Sequence, residues 1–430
     1  MKKENYKIGD YVEIFSEKEN LKGTILPSTN KEILTLKLNS GYNLGIEKNK
    51  IKKINLIKKI SEKKENQEKV DFKKGLKTIS ILHTGGTIAS KVDYETGGVI
   101  SKFTPEEFLS IFPELKEIAN FKSKLVRKMW SDDLRFKHFG VLAKEIENEI
   151  KSGVEGVIVG MGTDNLAVAS AALSFVLESC PVPVILVASQ RSSDRGSSDA
   201  AMNLVCASLF ITKTDFSGVA ICMHDSINDK TCSIFPACKT RKMHTSRRDA
   251  FKPINDNVIA QVDYRTKNIN FIKEDYKRKG EKLVIKDKFE EKVALIKITI
   301  NMTANQFLAY KGYKGLIIEG TGLGHTPGDV IDNETKEHAK IKKALQDLNK
   351  SMVVVMTSQC LFGRVNMNVY SKGRDLQEIG IISGEDMLPE VAFVKLAWLL
   401  GNYNPKEVKG LIGKNLRGEI NDHLTKEFLD

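Results

Sequence analysis

Residues 78–90 read Thr-Ile-Ser-Ile-Leu-His-Thr-Gly-Gly-Thr-Ile-Ala-Ser, a short apolar run that breaks into a glycine pair flanked by threonines. A run of five or so β-branched and aliphatic residues ending in glycine is the pattern of a strand buried on both faces and closed by a tight turn. The same pattern recurs as GVIVG (156–160), VPVILVA (182–188), GVAICM (218–223), GLIIEG (315–320) and MVVVMT (352–357). Helix-like stretches separate these runs, including Ala167–Leu177 and Lys336–Leu348. Alternation of this kind predicts an α/β fold with mostly parallel sheets and right-handed crossovers.

Upstream the pattern differs. Residues 8–46 alternate short period-two runs (YVEIF, LKGTILP, EILTLKL, LGI) with Gly, Pro and Asn turns, which predicts a small β-barrel or sandwich of four or five strands. Residues 47–75 become rich in Lys and Glu. Their second half is too polar to build a core and reads as a linker, whereas Ile51, Ile54, Ile57 and Ile60 leave the first half able to pack on the barrel. The expected division is a β-barrel-like unit over 1–60, a linker over 61–77, a large α/β domain over 78–285 and a smaller one over 286–430.

Composition narrows the class. The chain has 430 residues, 41% hydrophobic and 28% charged, and no run long enough to span a membrane. Its first ten residues, MKKENYKIGD, carry no apolar core of a secretory signal. Six cysteines at irregular spacings, without a CxxC, argue against a zinc cage and a disulfide framework, so a reduced, cytoplasmic protein is expected. The net charge is +12, and residues 1–77 hold 19 Lys against 11 Asp and Glu, a net +8. The basic character is therefore concentrated at the N-terminal end, where it fits either a solvated lysine-rich face or a polyanion partner.

In an open parallel sheet, ligands bind beyond the carboxyl ends of the strands. Two segments there stand out: His83-Thr84-Gly85-Gly86-Thr87-Ile88-Ala89-Ser90 and Met161-Gly162-Thr163-Asp164-Asn165. Each sets a threonine on a glycine-loosened strand-to-helix turn. The dinucleotide fingerprint GxGxxG is missing after the first strand, and GxxxxGK[ST] occurs nowhere, so a nucleotide reading of this domain is disfavoured.

These two segments resemble the threonine signatures of the asparaginase/glutaminase family, TGGTIA and HGTDT. The resemblance extends over nearly all of residues 78–425, through SQRSSDRGSSDAAMNL, RKMHTSRRDAFKPIN, IEGTGLGHTP and LAWLLG. The N-terminal module (GDYVEI, KGTILPS, LKLNSGYNLGI) and MHTSRRDAFKPIN resemble a narrower family, the D subunits of archaeal glutamyl-tRNA(Gln) amidotransferases. The fold that these resemblances imply is a two-domain asparaginase-like α/β architecture behind a small N-terminal β-barrel. The activity they imply is hydrolysis of glutamine, with the ammonia passed to a GatE-type kinase/amidotransferase subunit that uses ATP to convert Glu-tRNA(Gln) to Gln-tRNA(Gln). A free-standing asparaginase is the alternative, and a nucleic-acid-binding protein with an inactive α/β domain a third.

A threonine hydroxyl attacks an amide only if its proton is removed and the oxyanion stabilised. Thr87 and Thr163 are the two candidate hydroxyls, and the sequence does not order them; the resemblance implies Thr87 as the nucleophile and Thr163 as its partner, either positioning the attacking water or aiding proton transfer. Lys242, in RKMHTSRRD, aligns with the family's lysine, though Lys239 and Arg241 stand close by in sequence. Asp164 takes the substrate ammonium, Ser131 the α-carboxylate, and Asp132 stands where many relatives have glutamine. Tyr94 falls on a lid that would exclude water. Met161 and Asn165 replace the histidine and the second threonine of HGTDT; Met161 reads as packing, and His83 as structural. The spacings of His244, His325, Cys222 and Cys232 match no metal site, and threonine hydrolysis requires none. No cofactor is expected in this chain, ATP and Mg being expected on the partner subunit, and a homodimer within a heterotetramer is the expected assembly.

Overall fold

The computed structural model describes residues 6–16, 19–28, 30–38, 43–59, 72–85, 90–92, 99–101, 112–191, 197–280 and 282–423. Thr87 and Tyr94 lie outside them.

The N-terminal unit is a five-stranded antiparallel sheet: β1 (Tyr11–Ser16), β2 (Asn20–Leu26), β3 (Ile33–Leu38), β4 (Asn43–Glu47) and β5 (Ile51–Lys58), in the order β4-β3-β2-β1-β5. Alternation decides which side is dry. Val12, Ile14, Ile25, Leu34, Leu36 and Ile46 form its core, with Ile54 and Leu56 of β5 packed against it. Gly23 is obligatory, because a Cβ there would stand 2.2 Å from the Lys37 carbonyl oxygen across the ladder.

The second unit is built on an eight-stranded sheet. Five of its strands are parallel, in the order Gly218–His224, Pro183–Val187, Gly156–Gly160, Thr78–His83, Asn120–Leu125. Thr231–Pro236, Ala260–Asp263 and Ile269–Phe271 extend it antiparallel at one edge. The expectation of a mostly parallel sheet therefore holds for the central strands. The antiparallel edge escapes the sequence reading because its strands are short and follow turn-rich connections. Helices Phe136–Lys151 and Leu166–Val176 cover one face, and Ala200–Lys213 the other. Residues 72–77 lead into this unit and are tied to it: the Asn120 carboxamide accepts from the Lys73 backbone N–H at 2.8 Å and donates to the Lys73 and Leu76 carbonyls.

The third unit holds a four-stranded parallel sheet, Val293–Lys297, Gly315–Gly320, Val353–Ser358 and Ile382–Ser383. Its helix Pro389–Asn402 packs on Leu166–Val176 of the second unit, where Phe175 and Trp398 stack with ring centroids 5.5 Å apart. The core is thus continuous across the two α/β units. No helix among the described residues is long and apolar enough to cross a membrane.

Candidate active site

The site lies at the carboxyl ends of two adjacent parallel strands, as a parallel sheet dictates. Gly160 and His83 are register partners, and the Thr84 N–H donates to the Gly160 carbonyl at 2.9 Å, so the two threonine-bearing turns leave the sheet side by side. Gly85 takes φ +98°, a left-handed conformation that explains glycine directly after Thr84.

The second turn is fully described. Met161 is buried in the main core, which agrees with a packing role, and the chain then rises through Gly162 to Thr163 and Asp164 before the helix begins at Leu166. Gly162 is required by contact: a Cβ there would meet Ser131 Oγ at 2.9 Å and Ser131 Cβ at 3.1 Å. Ser131 itself is buried, on a short 3-10 turn over Ser131–Asp133.

Lys242 closes the constellation. It ends the strand Thr240–Lys242, which pairs antiparallel with Phe251–Pro253. Its ammonium donates to Thr163 Oγ1 at 2.9 Å and to Asp164 Oδ1 at 2.8 Å. The lysine side chain is only 14% exposed, whereas Asp164 is 63% exposed, so the carboxylate stands at the mouth and the amine behind it. The neighbouring cations are committed elsewhere. Lys239 is fully buried against Asp386 at 2.6 Å, and Arg241 stands 3.5 Å from Glu390. Of the three basic residues in this stretch, Lys242 is the one that reaches the threonine.

Asn165 was not singled out for a role by sequence reasoning. Its carboxamide donates to the Ser131 carbonyl at 3.0 Å and to Asp132 Oδ1 at 3.3 Å, and its backbone N–H reaches Ser131 Oγ at 3.4 Å. It ties the Ser131–Asp132 turn to the Thr163–Asp164 turn. Its place directly after Asp164, at the last position of the HGTDT signature that this turn resembles, is the signal that could have marked it. A cavity of about 360 Å³ lined by Leu134, Phe136, Phe393, Asp132 and Asn165 adjoins these residues, but neither Thr163 nor Lys242 lines it, so it is not where a carboxamide would be attacked.

Beneath the turn, His83 is 2% exposed, and neither ring nitrogen finds a hydrogen-bond partner among the described residues. Burial pulls its pKa down to about 4, which keeps the imidazole neutral. The structural reading of His83 therefore fits its burial, although no hydrogen bond holds the ring among the described residues.

A buried polar network, also unmarked in the sequence, shapes the neighbouring loop. Asp199 accepts from Ser189 Oγ at 2.9 Å and from the backbone N–H groups of Gln190 and Arg191 at 3.0 Å each. Asn203 joins it to His224, whose Nδ1 lies 2.7 Å from the Asn203 carboxamide oxygen.

Comparison with known proteins agrees with this architecture. Residues 6–57 match the model of the GatD N-terminal domain, residues 78–276 that of Asparaginase, N-terminal, and residues 292–411 that of the Glutaminase/Asparaginase C-terminal domain. The D subunit of the glutamyl-tRNA(Gln) amidotransferase of Pyrococcus furiosus is 46% identical over 433 residues, covering 98% of this chain and 96% of that protein. The D subunit from Methanococcus maripaludis is 43% identical over 427 residues, covering 98% and 99%. Among solved structures, the thermostable L-asparaginase from Thermococcus kodakarensis superposes with a TM-score of 0.72 at 25% identity, covering 80% of this chain and 100% of that one. L-asparaginase I from Vibrio cholerae shares the fold, with a TM-score of 0.68 at 24% identity over 80% of this chain and 99% of its own. The solved asparaginases thus match about four fifths of the chain, whereas the amidotransferase subunits match it from end to end. The chain belongs to the family of glutamyl-tRNA(Gln) amidotransferase D subunits.

Proposed function

We propose that this chain is the glutaminase subunit of a tRNA-dependent amidotransferase, hydrolysing glutamine and handing the ammonia to a partner subunit that amidates Glu-tRNA(Gln). The observation that carries the chemistry is the Lys242 ammonium held 2.9 Å from the Thr163 hydroxyl and 2.8 Å from the Asp164 carboxylate. A lysine in its neutral form, fixed at that distance, accepts a hydroxyl proton and returns it to the leaving group. Thr87 is the attacking hydroxyl in this reading, with Thr163 relaying the proton. The exposed Asp164 carboxylate takes the α-ammonium of glutamine, which then competes with Lys242 for the same oxygens. Ser131, with Asp132 beside it, receives the α-carboxylate, and Tyr94 sits on the lid.

The end-to-end similarity to amidotransferase D subunits, the basic N-terminal unit included, supports a subunit over a free-standing asparaginase. In this reading ATP and Mg belong to a GatE-type partner, in a cytoplasmic assembly built on a homodimer of this chain. Ammonia release from glutamine and from asparagine, by the purified chain with and without the partner and glutamylated tRNA, tests the reading. Strong stimulation of glutamine hydrolysis by the partner and tRNA is expected; fast asparagine turnover indifferent to both would replace this reading with the autonomous enzyme.

A further inference from the structure

Residues 48–59 of the N-terminal unit contain six lysines and no acidic residue. Lys50 is paired with Glu47 at 2.6 Å. Lys52, Lys53, Lys58 and Lys59 are all exposed, and none has an ion-pair partner among the described residues. They crowd onto β5 and the residue just past it: three uncompensated positive charges stand on the terminal strand of this sheet and a fourth, Lys59, directly follows it, all within eight residues.

The register sets these charges among aromatic rings. Lys53 stands directly across from Phe15 of β1, and Lys58 across from Tyr11, while the irregularities beside those pairs leave Lys52 and the half-exposed Ile57 outside the regular pairing. Phe15 and Tyr11 alternate with Val12 and Ile14, which fill the core, so both rings lie on the outer face and are half-buried. On the same face β2 places Asn20 opposite Phe15 and Lys22 opposite Glu13, which it pairs at 3.4 Å. Glu13 is the one carboxylate of β1, and it is already engaged.

We propose that this outer face of β1 and β5 binds the sugar-phosphate backbone of RNA, and so gives the subunit its own contact with the tRNA of the complex. A run of lysines with no interspersed carboxylate favours a dense polyanion, and the half-buried Phe15 ring opposite Lys53 offers a stacking surface for an unpaired base. Lysine contacts to phosphates carry little sequence preference, so the face reads charge and shape rather than bases. The inference deepens the amidotransferase reading, and its test is separable from it, because hydrolysis of free glutamine reports the catalytic site alone.

The experiment uses the full chain. Binding of transcribed tRNA(Gln) is followed by fluorescence anisotropy over a range of salt concentrations, for the wild type, for K52A/K53A/K58A/K59A and for the corresponding quadruple arginine variant. The alanine variant is expected to bind at least about 10-fold more weakly near 0.1 M salt, with a salt slope reduced by about 3, while the arginine variant keeps both. Tm and tRNA-independent glutamine hydrolysis should be unchanged in both variants, since all four side chains lie on the surface. Unchanged tRNA affinity and slope in the alanine variant, or no tRNA binding by the wild type even at low salt, overturns the proposal. Intact tRNA binding with lost assembly with the partner subunit also overturns it, and assigns the face to an acidic protein surface.

Discussion

Lys239 Nζ lies 2.6 Å from an Asp386 carboxylate oxygen, and both side chains are closed off from solvent. The ammonium also donates to the Asp386 backbone carbonyl at 3.1 Å, and the second carboxylate oxygen accepts from the Asn421 N–H. This pair joins the third unit to the segment that enters the Thr240–Lys242 strand, three residues before the site lysine. Burial depresses the Lys239 pKa, and Asp386 opposes that effect. Removing one partner strands a charge, so Asp386→Ala should cost about 3–5 kcal/mol in urea unfolding, whereas K239M/D386L should cost far less. A loss below about 1 kcal/mol in Asp386→Ala would mean that the pair does not hold the units together.

Lys242→Ala and Thr163→Ala should each lower ammonia release from glutamine by at least about 100-fold in kcat. Lys242→Arg should not rescue it, because a guanidinium keeps its proton. Asp164→Asn should act chiefly on KM, as loss of a substrate-ammonium contact does. Steady-state assays with glutamine separate these outcomes, and full activity in Lys242→Ala would remove the lysine from the mechanism.

Gly162→Ala forces a methyl group against Ser131, whose Oγ and Cβ would stand 2.9 and 3.1 Å from it. Overpacking of this order costs about 1–3 kcal/mol. Because the crowded residue is the proposed carboxylate contact, kcat/KM for glutamine should fall by about 10-fold or more. A variant kinetically equal to the wild type would show that Ser131 is not held in a functional position.

Acid should destabilise the fold through His83. Its folded pKa of about 4 lies below the ordinary value of 6.5, so between those two pH values the unfolded chain binds the extra proton. The stabilising effect of the neutral ring is complete above pH 6.5 and is lost as pH falls toward 4, by up to about 3 kcal/mol. His224, whose pKa burial also lowers, adds to the same limb. Unfolding free energies measured between pH 4 and 7 should show a shallower acid limb in His83→Leu, and parallel curves would refute the assignment.

Much of this architecture was legible in the sequence because its signals are local. The buried parallel strands announce themselves as unbroken apolar runs, and the turns after them carry glycine where Gly85 adopts φ +98° and Gly162 meets Ser131. Choosing among Lys239, Arg241 and Lys242 was harder, since adjacent cations differ only in where a two-stranded ribbon aims them, and that depends on the distant partners Asp386 and Glu390. The bridging by Asn165 was hidden for the same reason: its partners, Ser131 and Asp132, lie more than thirty residues upstream. The antiparallel edge strands were missed because three to six residues between turns carry too little periodicity. Thr87 and Tyr94, outside the described residues, rest on the resemblance alone.

Cysteine placement has a practical corollary. Cys180, Cys206, Cys222, Cys232 and Cys238 are buried, and burial raises the Cys238 thiol to about 12, while Cys360 is exposed just past the end of the Val353–Ser358 strand. A maleimide dye added to the native protein would therefore label one position without any cysteine having to be engineered away, giving a fluorescent reporter at the strand ends of the third unit.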